Sequence, residues 1–252
     1  MSKTLTLARR EMAAYFFSPM AYVIGALFLL ASGVWFFWKI FIPGSEATLR
    51  PLFDAIAALM VFAIPLLTMR LVADEFRSGT IETLMTAPVT DGQVIAGKFL
   101  GVMVFYIALL ATTLVYLALI VAYGAPDLGV ALMGYLGLIL LGAAFISVGI
   151  FTSTLTRYQL VAALVGIAVL AGFTFLTDQL AVRVGDLALA VPWTGWRFTL
   201  PLDRIIASVN ALSYFEDFSK GILDARGVVF FVSATVLFLF VSTKTLESRR
   251  WR

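Results

Sequence analysis

The sequence predicts an all-α integral membrane protein: six spans, an amphipathic interfacial helix before the first, a short helix in one polar loop, and external re-entrant or interfacial helices before the last. Three observations lead there. Of 252 residues, 62% are hydrophobic and 13% are charged, with a mean hydropathy of +1.00, against roughly 25% charged residues in an average soluble domain. The uncharged runs approach or exceed the about 20 residues that a helix needs to cross a bilayer core. One stretch, RLVADEFRSGTIETLMTAPVTDGQVIAGKFLG from Arg70 to Gly101, concentrates charge and glycine in a chain that is otherwise apolar. So short and apolar a chain leaves little for a separate soluble domain, and one domain over 1–252 is expected.

The first span is expected over 20–42, most of it in the uncharged run Met12 to Trp38. The second, 52–72, has a short uncharged centre, Ala55 to Met69, which contains Pro65 and is bounded by Asp54 and Arg70. It must borrow a turn on each side, with a re-entrant segment as the alternative. Spans at 94–123 and 128–155 are separated by a turn, Tyr123 to Leu128, that has no Lys or Arg. The fifth and sixth are expected at 158–180 and 227–244. In the intervening 181–226, Leu187 to Trp196 is apolar and aromatic but too short to span, and Pro192 and Pro201 interrupt it. Re-entrant or interfacial helices are expected there, anchored by Trp193, Trp196 and Phe198.

An even number of spans puts both termini on one side. Lys3, Arg9, Arg10, Lys244, Arg249, Arg250 and Arg252 make that side basic, which assigns it to the cytoplasm. Arg70, Arg77, Lys98 and Arg157 fall on the same side. Arg183, Arg197, Arg204, Lys220 and Arg226 lie outside, in a segment long enough to weaken the charge rule. The first apolar run is longer than a signal-peptide core and lacks a convincing cleavage site, so it is expected to remain as a span.

Over 2–18, Leu5, Ala8, Met12, Tyr15 and Phe16 recur at helical period, with Arg9 and Arg10 off the stripe. Such a helix lies along the headgroups with its arginines toward anionic lipid, or serves as a plain positive anchor. Inside the spans, Gly97 and Gly101 form G-x-x-x-G, and Gly134, Gly137, Gly142, Gly149, Ala162 and Gly166 continue the small-residue pattern that lets helices approach closely.

Several chemistries are disfavoured. The chain has no Cys and no His, which removes thiolate, imidazole and the usual zinc sites. There is no G-x-x-x-x-G-K-[ST], so nucleotide phosphates cannot be cradled in the Walker manner. No Asp, Glu, Lys or Arg occupies the middle of a predicted span, whereas ion-driven transporters need buried ionisable groups or broken helices. A net charge of +3, small and scattered, gives no reason to expect nucleic acid. Glu216 and Asp217 are adjacent and so diverge on a helix. Thr152 and Ser153 have no base beside them, so an intramembrane enzyme has no catalytic set.

The polar loop, 74–90, has its own grammar. Gly79 is expected as the N-cap of a helix of about two turns, with Glu82 at N3 and Pro88 ending it. Ile81, Leu84 and Met85 fall at i, i+3 and i+4, with Val89 just beyond, so an apolar face projects into water within a rim of Asp74, Glu75, Arg77 and Glu82. That face suits a groove on a partner, or folds back on its own span ends.

ADEFRSGTIETLMTAPVT closely resembles the cytoplasmic motif of type 2 ABC exporter permeases, matching at Glu75, Arg77, Gly79, Thr80, Glu82, Leu84, Thr86 and Pro88. SYFEDFSKGILDARGVVFFVSATVLFLFVSTKTLESRRW is similar to the end of gliding-motility-associated GldF-like permeases, through Phe215, Phe218, Gly221, Asp224, Arg226, Leu246 and Glu247. The resemblance implies a permease subunit of a prokaryotic cytoplasmic (inner) membrane exporter, surrounded by membrane lipids, whose loop is a coupling helix. Glu75, Arg77, Gly79, Thr80, Ile81, Glu82, Leu84, Met85 and Pro88 would then dock on a separate cytoplasmic ABC ATPase present in two copies. It further implies a second permease half, identical or homologous, and external helices that cap the outer side of the pathway. No cofactor is expected on this chain; ATP and Mg belong to the ATPase. The cargo is unspecified, and a mechanical or scaffold role in a motility or envelope complex is the alternative.

Overall fold

The computed structural model describes residues 3–40, 48–79, 89–177, 187–190, 197–200 and 210–250, and it bears out the helical membrane architecture. Helix α1 (Lys3–Phe16) ends just before Pro19, which opens α2 (Pro19–Lys39) at the first-turn position where proline leaves no donor unpaired. Helices α3 (Arg50–Thr68) and α4 (Arg70–Ser78) follow nearly end to end. Helix α5 (Asp91–Thr112) opens with a capping box in which Gln93 N–H donates to Thr90 Oγ1 at 3.3 Å and Thr90 N–H to Gln93 Oε1 at 3.2 Å. Helix α6 (Leu114–Tyr123) continues it beyond Thr113. Asp127 then caps α7 (Leu128–Leu155), and α8 (Gln159–Ala171) runs into one π turn, Gly172–Leu176. Asn210 caps α9 (Ala211–Ser219), and α10 (Ala225–Arg250) closes the chain.

Among the described residues six helical stretches are long and apolar enough to cross a membrane: Pro19–Lys39, Arg50–Ser78, Asp91–Tyr123, Leu128–Leu155, Gln159–Leu176 and Ala225–Arg249. The second, with its short uncharged centre, reaches 29 residues by recruiting polar flanks at both ends. Between the fifth and sixth of these stretches the structure adds something that the helical expectation lacked. Leu187–Ala190 and Arg197–Leu200 pair as antiparallel strands, with Leu187 opposite Leu200 and Ala190 opposite Arg197. Four-residue pieces are too short for a stable helix but long enough for a ladder. Among the described residues, the helix that precedes the last span is α9.

Helix α7 is the hub and touches α3, α5, α8, α9 and α10. Its Leu138, Leu141, Phe145, Ile146 and Ile150 are buried, as are Leu52, Phe53, Ile56, Met60 and Ile64 of α3. In lipid no hydrophobic force separates helix from solvent, so close packing and interhelical hydrogen bonds hold the bundle. Tyr106 donates to Leu138 O at 2.7 Å and Tyr116 to Leu29 O at 3.0 Å.

The G-x-x-x-G of α5 receives α1 rather than another span. A Cβ on Gly97 would come within 2.7 Å of Leu7 Cβ, and one on Gly101 within 2.6 Å of Glu11 Cβ. The amphipathic helix therefore buries Ala8 and Tyr15 against protein, while Arg9 and Arg10 remain exposed. Gly101→Leu is expected to push α1 off α5, an overpacking cost of about 1–3 kcal/mol. Limited trypsin cleavage at Arg9 and Arg10 measures it, and an unchanged cleavage rate would contradict it.

Contacts of Lys98 with Glu11 and of Arg249 with Leu155 O gather α1, the root of the polar loop and the C-terminal end of α10 at one end of the bundle. At the far end Arg50 reaches Glu216 at 3.1 Å, and Lys220 reaches it at 2.8 Å. Hydrogen bonding by Lys220, with the charges of Lys220 and Arg50, holds the Glu216 carboxyl below its ordinary value against a smaller opposing effect of burial.

Candidate functional site at the root of the polar loop

The residues before the loop are helical: α4 continues the second apolar stretch and delivers the chain to Gly79. Its joint with α3 is built around a serine from another span. In an unbroken helix Val72 and Ala73 N–H would donate to the carbonyls of Thr68 and Met69. Here both donate to Ser153 Oγ at 3.1 Å, and Ser153 Oγ donates to Met69 O at 2.9 Å. The hydroxyl thus uses its one donor and both acceptor sites to replace the interrupted ladder. One turn earlier Pro65 removes another helix donor. The joint is packed closely: a Cβ on Gly149 would collide with Thr68 Oγ1, and one on Gly166 would lie 3.1 Å from Pro65 Cβ.

Around α4 the ends of the other spans form a collar. Lys98 of α5, only 3% exposed, lies 2.7 Å from Glu75 Oε1 and 3.2 Å from Glu11 Oε1. Arg10 adds 3.1 Å to Glu11 and 3.6 Å to Glu75. Glu75 Oε2 is buried without a hydrogen-bond partner among the described residues. Gln159, at the start of α8, donates to Asp74 Oδ1. Arg249 of α10 stacks its guanidinium 4.8 Å from the centre of the Phe76 ring and donates to Leu155 O at 2.6 Å. Arg70 donates to Ser18 Oγ at 2.6 Å, at the mouth of the first span, and lies 4.9 Å from the Tyr15 ring centre. The Tyr15 hydroxyl donates to Leu67 O at 2.7 Å. Burial pushes the Tyr15 phenol up from its ordinary pKa, more than the neighbouring Arg70 charge pulls it down. A polar cleft of about 270 Å³ remains between Glu11, Tyr15, Arg70, Asp74, Glu75 and Lys98. Among the described residues no group of three carboxylates is placed to hold a metal ion. This arrangement can transmit force, because it grips one helix from many directions.

A family model described as ABC-2 family transporter protein matches residues 6–249. The chain belongs to the ABC-2 transporter family. It is a multi-pass membrane protein and the permease subunit of an ABC transporter, a family whose membrane subunit generally works with a separate ABC ATPase. No curated protein matches it significantly.

Of the predicted docking residues of this ABC-2 permease, Glu75, Arg77 and Gly79 lie within the described structure, while Thr80, Ile81, Glu82, Leu84, Met85 and Pro88 lie outside the described residues. Gly79 takes φ 73 and closes α4 as its left-handed C-terminal residue. The short helix expected after Gly79 lies outside the described residues, and the charges of α4, which read as loop, conceal its length in the sequence. Arg77 is exposed at the loop side, and Glu75 is turned into the collar. The residues that sequence reasoning missed are Ser153, Lys98, Glu11, Gln159 and Arg249. The buried position of Lys98 had one usable signal, its place beside Gly97 on a close-packed helix face.

Proposed function

We propose that this permease is one half of an ABC exporter of the GldF-like kind, moving an unidentified substrate outward across a prokaryotic cytoplasmic membrane. Residues 74–90 carry the coupling element, and two copies of a cytoplasmic ATPase supply ATP hydrolysis with their own ATP and Mg. A second permease half, identical or homologous, completes the pathway, and both termini face the cytoplasm.

The observation that supports the reading is the collar. Through Ser18, Lys98, Ser153, Gln159 and Arg249, α4 has a side-chain contact with the near end of every other span or the residue that opens it. A push on the loop therefore reaches the whole bundle. A partner shifts only an equilibrium that it contacts differently in two states, and the unserved Glu75 Oε2 is an acceptor that a second arrangement of the collar would satisfy.

Co-purification in mild detergent with the candidate ATPase tests this. Leu84→Asp places a charge on the apolar docking face and is expected to lower retained ATPase by about tenfold or more, the loss of roughly 1.4 kcal/mol or more. Glu82→Ala is expected to uncouple hydrolysis with a smaller loss of binding. Association and ATPase rates unchanged by both substitutions, in folded protein, would reject the docking role and favour a scaffold.

A further inference from the structure

The first and second spans enclose an open groove of about 620 Å³ toward the far end of the bundle, away from the collar. Its walls are regular. Helix α2 supplies Lys39, Trp35 and Ala31 at successive four-residue steps, and α3 supplies Asp54, Ala58 and Phe62 in the same way. The helices run antiparallel, so both series descend from the same mouth into the span for roughly 12 Å at 1.5 Å per residue.

An ammonium on one wall and a carboxylate on the other thus face one mouth. Neither has a salt-bridge partner among the described residues. Lys39 Nζ rests 5.9 Å from the centre of the Trp35 ring, while Asp54 meets the Ser219 hydroxyl and the charges of Arg50 and Lys220, both of which form their salt bridges with Glu216. Trp35 Nε1–H donates to Pro51 O at 3.1 Å, which fixes the indole at the wall where interfacial tryptophans belong. Below the mouth the lining is apolar, and Phe62 is 50% exposed toward the surrounding hydrocarbon.

Ionisable groups on the outer surface of a span are costly unless something polar meets them. We propose that this groove binds a membrane phospholipid with a zwitterionic headgroup. Its phosphate pairs with Lys39, its ammonium group pairs with Asp54, and one acyl chain lies along Ala58 and Phe62. An anionic headgroup would satisfy Lys39 but set a like charge near Asp54, so the charge pattern selects the zwitterion.

The test uses the full chain in mild detergent, with equal amounts of phosphatidylethanolamine and phosphatidylglycerol added, and native mass spectrometry of the retained lipid. Wild type is expected to keep phosphatidylethanolamine preferentially. Asp54→Asn is expected to reduce that preference by up to about fivefold, the upper range for a part-exposed ion pair. Lys39→Gln should weaken retention of both lipids, and Ala58→Trp, which fills the trough, should remove one bound lipid. Circular dichroism and monodisperse elution verify folding, and the two polar variants decide the matter if the tryptophan variant misfolds. Equal retention of both lipids by wild type and Asp54→Asn would overturn the proposal. So would a lipid-free wild-type dimer that Ala58→Trp dissociates, because a second copy would then be the occupant. No ATPase or nucleotide is present, so this outcome is independent of the coupling experiment.

Discussion

Lys98→Met is expected to cost about 3–5 kcal/mol of stability, the range for breaking a buried ion pair by removing one partner. Lys98 is 3% exposed and sits between Glu11 and Glu75, whose side chains are 12% and 15% exposed. Its loss leaves two carboxylates facing each other in a largely desolvated cleft. Arg10, 58% exposed and 3.6 Å from Glu75, is too solvated to replace it. The triple variant Lys98→Met, Glu11→Gln, Glu75→Gln removes the stranded charges and should recover most of the loss. Thermal unfolding of the detergent-solubilised chain measures both. A single-variant loss below about 1 kcal/mol, the ordinary value of a surface pair, would mean that the collar is solvated rather than buried.

Ser153→Ala is expected to cost about 2–4 kcal/mol. The change deletes one oxygen but strands three buried backbone groups: Val72 N–H, Ala73 N–H and Met69 C=O. Each buried unsatisfied group costs about 1–3 kcal/mol, and partial straightening of the joint recovers some of that. The distinguishing readout is local. Amide exchange of Val72 and Ala73 should accelerate well beyond that of the hub helix, while Thr152→Ala, which loses only a bond to Gly149 O within its own helix, should leave it unchanged. If the protection at Val72 and Ala73 survives Ser153→Ala, the serine does not hold the joint.

The two variants also separate stability from coupling. Lys98 ties α4 to α1 and α5, whereas Ser153 sets the bend between α3 and α4. If the loop drives the bundle through α4, Ser153→Ala should reduce stimulation of the ATPase more than it reduces ATPase binding.

Much of the fold was legible in the sequence because a bilayer imposes a coarse and unforgiving rule. A crossing helix must be long and apolar, so uncharged runs count the spans and Lys and Arg mark the loops between them. The G-x-x-x-G of Gly97 and Gly101 was readable as a close contact for the same reason, since only a residue without Cβ permits it. The wording of residues 74–90 and the span count together pointed to the ABC-2 family before any geometry was known.

What the sequence could not determine is which surfaces meet. Gly97 and Gly101 announce proximity but not that α1 is the partner. Ser153 looks like any back-bonding serine within a span, and its role exists only because α3 breaks at Met69 beside it. Lys98 and Glu75 are far apart in the chain, and Lys39 and Asp54 stand at the ends of separate spans. Membrane insertion is a one-dimensional property of composition along the chain, which the sequence states outright. The collar and the groove arise from pairings between distant segments, whose energies depend on ångström-scale distances that only the packed bundle sets.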